Sequence, residues 1–175
     1  MSGLLSVVAD IAIIAGVGIA AFSAWMAKKS INTNKEITKK SKTADFLFSS
    51  RSDSHYLEGL SCLKDRHASE FNFRCLVHEV KNDNRTDAQK DNDQECYKKI
   101  LYLLNFYERV AVSMKNNIYD EIMIKEVSYS TVISTYEIAS PLISAIRELD
   151  SKKTCYQEFE WLYKKWKKDP LKKTC

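Results

Sequence analysis

The sequence predicts an all-α protein in which a single N-terminal transmembrane helix precedes a cytoplasmic helical bundle. Three observations favour this fold class. The 175 residues include only four Gly and two Pro, which leaves little turn chemistry for β-sheets. The first segment is strongly apolar, whereas the rest is polar and rich in the residues of long helices. Apolar residues in the polar part recur at helical spacing. The short chain excludes a multidomain enzyme.

The apolar segment, residues 4–27, is expected to cross a membrane as one helix. At about 1.5 Å per residue it is long enough for a hydrocarbon core of about 30 Å. A signal peptide would carry positive charge before its apolar run, but no Lys or Arg precedes this segment. Lys28 and Lys29 follow it directly. Positive charge places the C-terminal end of a span in the cytoplasm. We therefore expect a single-pass protein with its N-terminus outside.

Small side chains recur every four residues along this span and would share one helix face: Ala12, Gly16, Ala20 and Ala24. Such a face lets a second helix approach closely, although Ala and Gly are also simply frequent in membrane helices.

Polar residues near the two ends of the span are candidates for lining a passage. Asp10 lies within the apolar segment, and Asn32 and Asn34 follow it. Because a carboxylate facing lipid is costly, Asp10 is expected to face a partner helix, a water-filled lumen or the outer headgroup layer. One span per chain needs several copies to form a passage, so we expect a homo-oligomer in the lipid bilayer.

The remaining chain divides into a cytoplasmic stalk, 28–43, a bundle of about five helices, 44–168, and a basic tail, 169–175. One or two helices are expected between residues 44 and 64, and a short helix between 71 and 80.

A polar loop follows and opens a helix near Asp91 or Asp93, which continues as the central core helix from Cys96 to Met114. The next helix is expected to be capped by Asp120 and kinked or ended by Pro141. Thr154 with Gln157 matches the capping box of a last helix.

Two Arg/His pairs are the candidate catalytic residues. Arg51 and His55 are four residues apart, as are Arg74 and His78, so on a helix each pair would share one face. An Arg can polarise a phosphodiester while a His acts as acid or base, which suggests RNA cleavage. Ordinary polar residues of the surface or core are the alternative.

Other chemistry is poorly represented in the sequence. The five Cys and three His lack the spacing of a metal site, so no metal and no cofactor are expected. The cysteines are expected to be reduced and packed. The C-terminal stretch carries six Lys among Trp161, Tyr163 and Trp166. This composition suits anionic lipid or RNA, or else a solvated helix face with buried rings.

Three stretches carry a family resemblance: KTADFLFSSRSDSHYLEGL, ILYLLNFYERVAVSMKNNIYDEIMIKE and CYQEFEWLYKKW. They resemble a bacterial family of membrane-anchored helical domains whose general function is unassigned. The single span, the Lys- and Asn-rich composition and the Arg/His pairs resemble more particularly the small accessory membrane proteins of type VI-B CRISPR systems.

The narrower resemblance implies a HEPN-like bundle and a pore of identical subunits, an octamer, in the bacterial inner membrane. The pore would enhance antiphage defence by an RNA-guided CRISPR ribonuclease by depolarising that membrane. HEPN ribonucleases usually place more residues between Arg and His than the three found here, so we expect a pore rather than an enzyme. A membrane-tethered ribonuclease and a non-catalytic membrane adaptor are the alternatives, and direct RNA binding stays open.

Overall fold

The computed structural model describes residues 2–78, 85–149, 151 and 153–171, with side chains of the first helix from Gly16 onward. Over these residues the protein is all-helical and contains no strand, which confirms the predicted fold class. The described residues form five α-helices and one 3₁₀ helix: α1 Ser2–Arg51, α2 Ser54–Ala68, the 3₁₀ helix Phe73–Leu76, α3 Asp87–Lys115, α4 Glu121–Leu149 and α5 Gln157–Lys168.

The chain forms two units, Met1–Ser41 and Lys42–Cys175. The first consists of most of α1, a helix that no Gly or Pro interrupts between residues 19 and 51. Within the described part of the chain, no helix meets the length and hydropathy that a membrane crossing requires.

The second unit is a bundle with α3 at its centre. Ten residues of α3 are buried; α2 and α5 pack against it, and α4 packs against α2 and α5. The α5 helix contributes three fully buried side chains, Phe159, Leu162 and Trp166. The 3₁₀ helix contacts α4 and α3 and buries Phe73 and Leu76. The apolar spacing of residues 96–114 therefore identified the true core helix.

The α2 and α3 helices run antiparallel and are in close contact at Gly59. A Cβ atom at Gly59 would lie 2.5 Å from the backbone oxygen of Lys99 and 3.0 Å from the Cβ of Leu103. Further along, Arg66 of α2 pairs with Asp93 of α3 at 2.6 Å. Only a residue without a side chain fits at position 59, so Gly59 determines how closely the two helices can approach there.

The predicted start of α3 was wrong, and of the two outcomes expected at Pro141, a kink or a helix end, the end does not occur. The α3 helix begins several residues before Asp91. Thr86 and Gln89 form a capping box there, in which each side chain accepts a hydrogen bond from the backbone amide of the other residue. Pro141 does not end α4, which continues to Leu149. A buried apolar face, with Leu142 and Ile143 directly after the proline, holds the helix in the core on both sides of it.

The two predicted caps had different outcomes. The prediction for Asp120 is confirmed, since its carboxylate accepts from the amides of Ile122 and Met123 at 3.0 and 3.2 Å. The capping box predicted at Thr154 is wrong. The N-cap of α5 is Tyr156, which has left-handed backbone (φ 56°) and makes no side-chain cap bond.

A carboxylate from another helix takes the place of the missing α5 cap. Glu108 of α3 accepts hydrogen bonds from the amides of Glu158 and Phe159, at 3.2 and 2.8 Å. Two of the free amides at the α5 N-terminus are satisfied in this way, and the negative charge faces the positive end of the helix dipole. A tertiary contact therefore fixes where α5 begins.

Candidate functional site

The first unit is described by itself as one long helix, with side chains given from residue 16 onward. Every residue from 16 to 38 is exposed. Large apolar side chains are among them: Val17, Ile19, Phe22, Trp25, Met26, Ile31 and Ile37, with Ile19 69% exposed. At 3.6 residues per turn these positions fall on several sides of the helix. A helix that is apolar on several sides needs lipid or other protein around it.

The residues predicted to pack or to line a passage lie in the same segment. Gly16, Ala20 and Ala24 are exposed, and a Cβ added to Gly16 would meet no atom within 4 Å. Asn32 and Asn34 are exposed as well. Asp10 and Ala12 lie outside the residues whose side chains are described. The face and the asparagines are thus open to a partner from outside the chain.

At the end of the apolar segment, an aromatic pair is followed by a lysine. The rings of Phe22 and Trp25 lie 5.9 Å apart. The Lys29 ammonium lies 5.4 Å from the Trp25 ring centroid, in a cation–π contact. Rings with a cation at one end of an apolar helix suit the boundary between an apolar medium and water.

The pair Arg74 and His78 gathers around one carboxylate. Both terminal guanidinium nitrogens of Arg74 donate to Glu148 of α4: Nη1 donates to Oε1 at 3.2 Å, and Nη2 donates to Oε2. This ion pair raises the pKa of Arg74 and lowers that of Glu148. His78 Nε2 lies 4.0 Å from the same carboxylate and has no hydrogen-bond partner among the described residues. Arg74 thus ties the 3₁₀ helix to α4.

The pair Arg51 and His55 is divided between two helices. Arg51 is the last residue of α1, and His55 lies in the first turn of α2. Between them Asp53 caps α2, accepting from the Tyr56 amide at 3.0 Å and from the Tyr102 hydroxyl at 2.8 Å. The four-residue spacing therefore does not place Arg51 and His55 on one helical face.

Asp53 joins the start of α2 to the central helix electrostatically. Partial burial acts to raise the pKa of the Asp53 carboxyl. Hydrogen bonds from Tyr56, Tyr102 and His55, and the charge of His55, outweigh burial and lower that pKa. The hydrogen bond to Asp53 raises the pKa of Tyr102 in turn. The guanidinium of Arg109 lies 5.8 Å from the Tyr102 ring centroid. Asp53 is thus an ionised acceptor and Tyr102 a neutral donor.

A cavity of about 380 Å³ opens beside Asp53. Three rings form its apolar wall, with Phe46 stacked 5.5 Å from Phe106 and 4.8 Å from Tyr119. Asp53, Arg109 and three serines supply polar groups: Ser49, Ser50 and Ser113. Arg109 is exposed at this cavity and can attract an anionic group. The sequence-based search missed this cluster, although Asp53 before an apolar-periodic segment was a readable N-cap signal.

The lysines of α5 are largely paired with acidic residues. Lys164, Lys165 and Lys167 bind Glu160, Glu121 and Glu137 respectively. The ring of Trp166 is fully buried, and its Nε1 donates to Glu121 at 3.0 Å. Of the three alternatives for this segment, a solvated face with buried rings agrees best with these contacts. In the described residues, no group of three or more His, Cys, Asp and Glu could hold a metal ion.

A model of the family described as "Domain of unknown function (DUF4760)" matches residues 10–166, which is most of the 175-residue chain. Comparison with curated proteins finds no match, and neither does comparison with solved structures. The matched residues include most of the apolar segment and all of α2, α3 and α4. The chain therefore belongs to the DUF4760 family.

Proposed function

We propose that the chain is one subunit of an oligomeric pore in the bacterial inner membrane. Residues 4–27 form its single span, the N-terminus lies outside and the bundle lies in the cytoplasm. The observation that carries this proposal is the exposure of every residue from 16 to 38, with large apolar side chains on several sides of the helix. A helix of this kind is stable in lipid or in contact with copies of itself.

The energies involved favour a surrounding apolar medium. Val17, Ile19, Phe22 and Trp25 are each more than half exposed within the chain. Burying one such side chain contributes about 1.5–3 kcal/mol, so these four together contribute on the order of 6–12 kcal/mol. Lys29 beside Trp25 marks the cytoplasmic boundary, where lysine and tryptophan are enriched in membrane proteins.

Self-association follows from the same segment. The small face of Gly16, Ala20 and Ala24 is open, so neighbouring spans can pack there, with Ala12 continuing the face. Asp10, Asn32 and Asn34 then line the passage near its two ends, because polar side chains are stable in a membrane only where they meet water or each other. The resemblance to the type VI-B CRISPR accessory proteins suggests eight copies.

The biological role in this proposal is antiphage defence. Once an RNA-guided CRISPR ribonuclease has recognised phage RNA, the open pore depolarises the membrane and slows the infected cell. The ribonuclease alternative has less support, because Glu148 holds the Arg74 guanidinium and because Arg51 and His55 lie on different helices. An adaptor that only recruits a partner to the membrane is the other alternative.

Two isoleucines of α1 provide a matched test of the span. Ile19 and Ile37 are 69% and 60% exposed, but only Ile19 lies within residues 4–27. A lysine in the middle of a span costs about 2.5–3.5 kcal/mol. We expect Ile19→Lys to leave the membrane fraction after alkaline extraction of cells, and Ile37→Lys to remain. Equal retention of both variants would contradict the proposed span.

A flux assay tests the pore itself. When the purified chain is placed in liposomes loaded with an ion-sensitive dye, we expect ion flux to change the dye signal. The Ile37→Lys variant should give the same flux as the wild type. The double variant Arg74→Ala with His78→Ala should keep the flux, whereas a ribonuclease would lose its activity. Absence of flux, together with a monomer in detergent, would overturn the pore. RNA cleavage abolished by the double variant would favour the nuclease.

A further inference from the structure

Two cysteines face each other across the α2–α3 contact. Cys62 lies one turn after Gly59 on α2, and Cys96 lies one turn before Lys99 on antiparallel α3. The two helices touch at Gly59 and Lys99, and they are joined again by the Arg66–Asp93 ion pair. Cys62 and Cys96 are therefore enclosed between two fixed points of contact.

The cavity beside the pair provides access from solvent. Both cysteines line a space of about 340 Å³ together with Asp65, Arg66, Ser69 and Asn92. Cys62 is partly exposed, whereas Cys96 is buried at 5% exposure. A small thiol-reactive molecule can thus reach Cys62 first, and Cys96 is reached only from Cys62.

Close helix packing is the geometry that a disulfide needs. A disulfide requires Cα atoms about 4.4–6.8 Å apart and side chains that point toward each other. Such a separation across a helix pair is reached only where the backbones come unusually near, as they do at Gly59. Among the described residues, two further cysteines have no such helix contact beside them: Cys75 lies in the 3₁₀ helix and Cys155 before α5.

We propose that Cys62 and Cys96 are a redox modification site that forms a reversible disulfide on reaction with a low-molecular-weight disulfide of the glutathione type. The Cys62 thiolate attacks one sulfur of oxidised glutathione, and the leaving glutathione thiolate takes up a proton. Cys96 then loses its proton to water and its thiolate attacks the Cys62 sulfur. This releases the second glutathione as a thiolate, which takes up a proton from water. Two protein thiols are oxidised and one glutathione disulfide is reduced.

The environment makes this reaction slow and selective. Burial, followed by interaction with the Cys96 thiol, raises the pKa of Cys62 to about 11. Lys99 and Arg66 favour the thiolate, but Lys99 is bound by Glu58 and Glu95, and Arg66 by Asp93. The carboxylate of Asp65 lines the same cavity. The pair therefore reacts slowly, and its oxidation requires a sustained pool of oxidised glutathione.

The full-length chain in detergent is incubated with oxidised glutathione and then digested without reductant. The expected result is a cross-linked peptide joining Cys62 to Cys96, two hydrogen atoms lighter than the reduced peptides. Cys62→Ser and Cys96→Ser should abolish it, and Cys75→Ser and Cys155→Ser should leave it unchanged. The oxidised chain should also unfold about 5–10 °C higher, and dithiothreitol should reverse this shift.

Two results would overturn the proposal. One is a stable glutathione adduct on Cys62 with no link to Cys96, which would mean that the two sulfurs do not meet. The other is a cross-link that persists in Cys96→Ser. The double variant Cys62→Ser with Cys96→Ser is the control for misfolding. It should unfold near the temperature of the reduced wild type, and oxidised glutathione should not raise that temperature.

Discussion

Replacing Gly59 by alanine is a sharp test of the α2–α3 packing. The added Cβ would lie 2.5 Å from the Lys99 backbone oxygen and 3.0 Å from the Leu103 Cβ. The nearest of these atoms belongs to the backbone of the central helix, so no rotamer change can remove the contact. The α2 helix must shift by roughly 0.9 Å to restore the 3.4 Å of an ordinary contact with that oxygen, because the packed core has no spare volume.

The magnitude follows from two opposing effects. Overpacking a close contact typically costs about 1–3 kcal/mol. Alanine regains about 0.5–1 kcal/mol, since glycine is the poorer helix former. Since the nearest atom belongs to the backbone, the upper part of that cost applies, about 2–3 kcal/mol. With up to about 1 kcal/mol regained, we expect Gly59→Ala to lower the free energy of unfolding by about 1–2 kcal/mol. For a bundle of this size, this corresponds to a fall in Tm of about 3–8 °C.

Thermal unfolding in detergent, followed by circular dichroism, measures this change. The matched control is Gly18→Ala, because a Cβ at Gly18 would meet no atom within 4 Å. This variant should leave the Tm of the bundle within about 1 °C of wild type. If Gly59→Ala were as stable as wild type or more stable, the close approach of α2 to α3 would be refuted, and the geometric basis for the Cys62–Cys96 disulfide with it.

Two further predictions concern carboxylates. Glu108→Gln should lower the Tm by about 3–5 °C, because it removes the charge that caps α5 and costs about 1 kcal/mol; Glu126→Gln, at an exposed position of α4, is the neutral control. Asp53→Asn should destabilise the chain at neutral pH. Because the pKa of Asp53 is lowered in the folded state, its contribution is present above the unfolded pKa and is lost as the pH falls through the folded one. The Tm difference between Asp53→Asn and wild type should therefore shrink below about pH 4, and a constant difference down to pH 3 would contradict this.

The sequence was sufficient for the helices and insufficient for several of their ends. The apolar spacing of the central helix identified α3, since burial imposes a 3.6-residue period on residues that pack on one side. The N-terminus of α5 could not be predicted in the same way. Its cap is supplied by Glu108, a residue far away in sequence, and no local pattern at Thr154 or Gln157 reports that contact.

The candidate catalytic pairs illustrate a similar limit. Spacing four residues apart implies a shared face only if one helix contains both residues. Arg51 and His55 do not lie on one helix, because the Asp53 side chain caps the start of a new helix between them. For Arg74 the deciding contact is with Glu148 on another helix. A charged side chain can be found from sequence, but whether it is free for chemistry depends on its tertiary partners.

Two residues of α1 show why burial does not follow from residue type alone. Ile19 is 69% exposed, whereas Thr43 is fully buried and accepts a hydrogen bond from the Asp120 amide at 2.7 Å. Thr43 is buried because its hydroxyl satisfies a backbone donor that would otherwise remain unpaired. Ile19 is left largely uncovered by the residues that the structure describes. An exposed apolar side chain that lies among many other exposed apolar side chains indicates a surface that binds a partner outside the chain. Comparing Ile19→Lys with Ile37→Lys tests whether that partner is lipid.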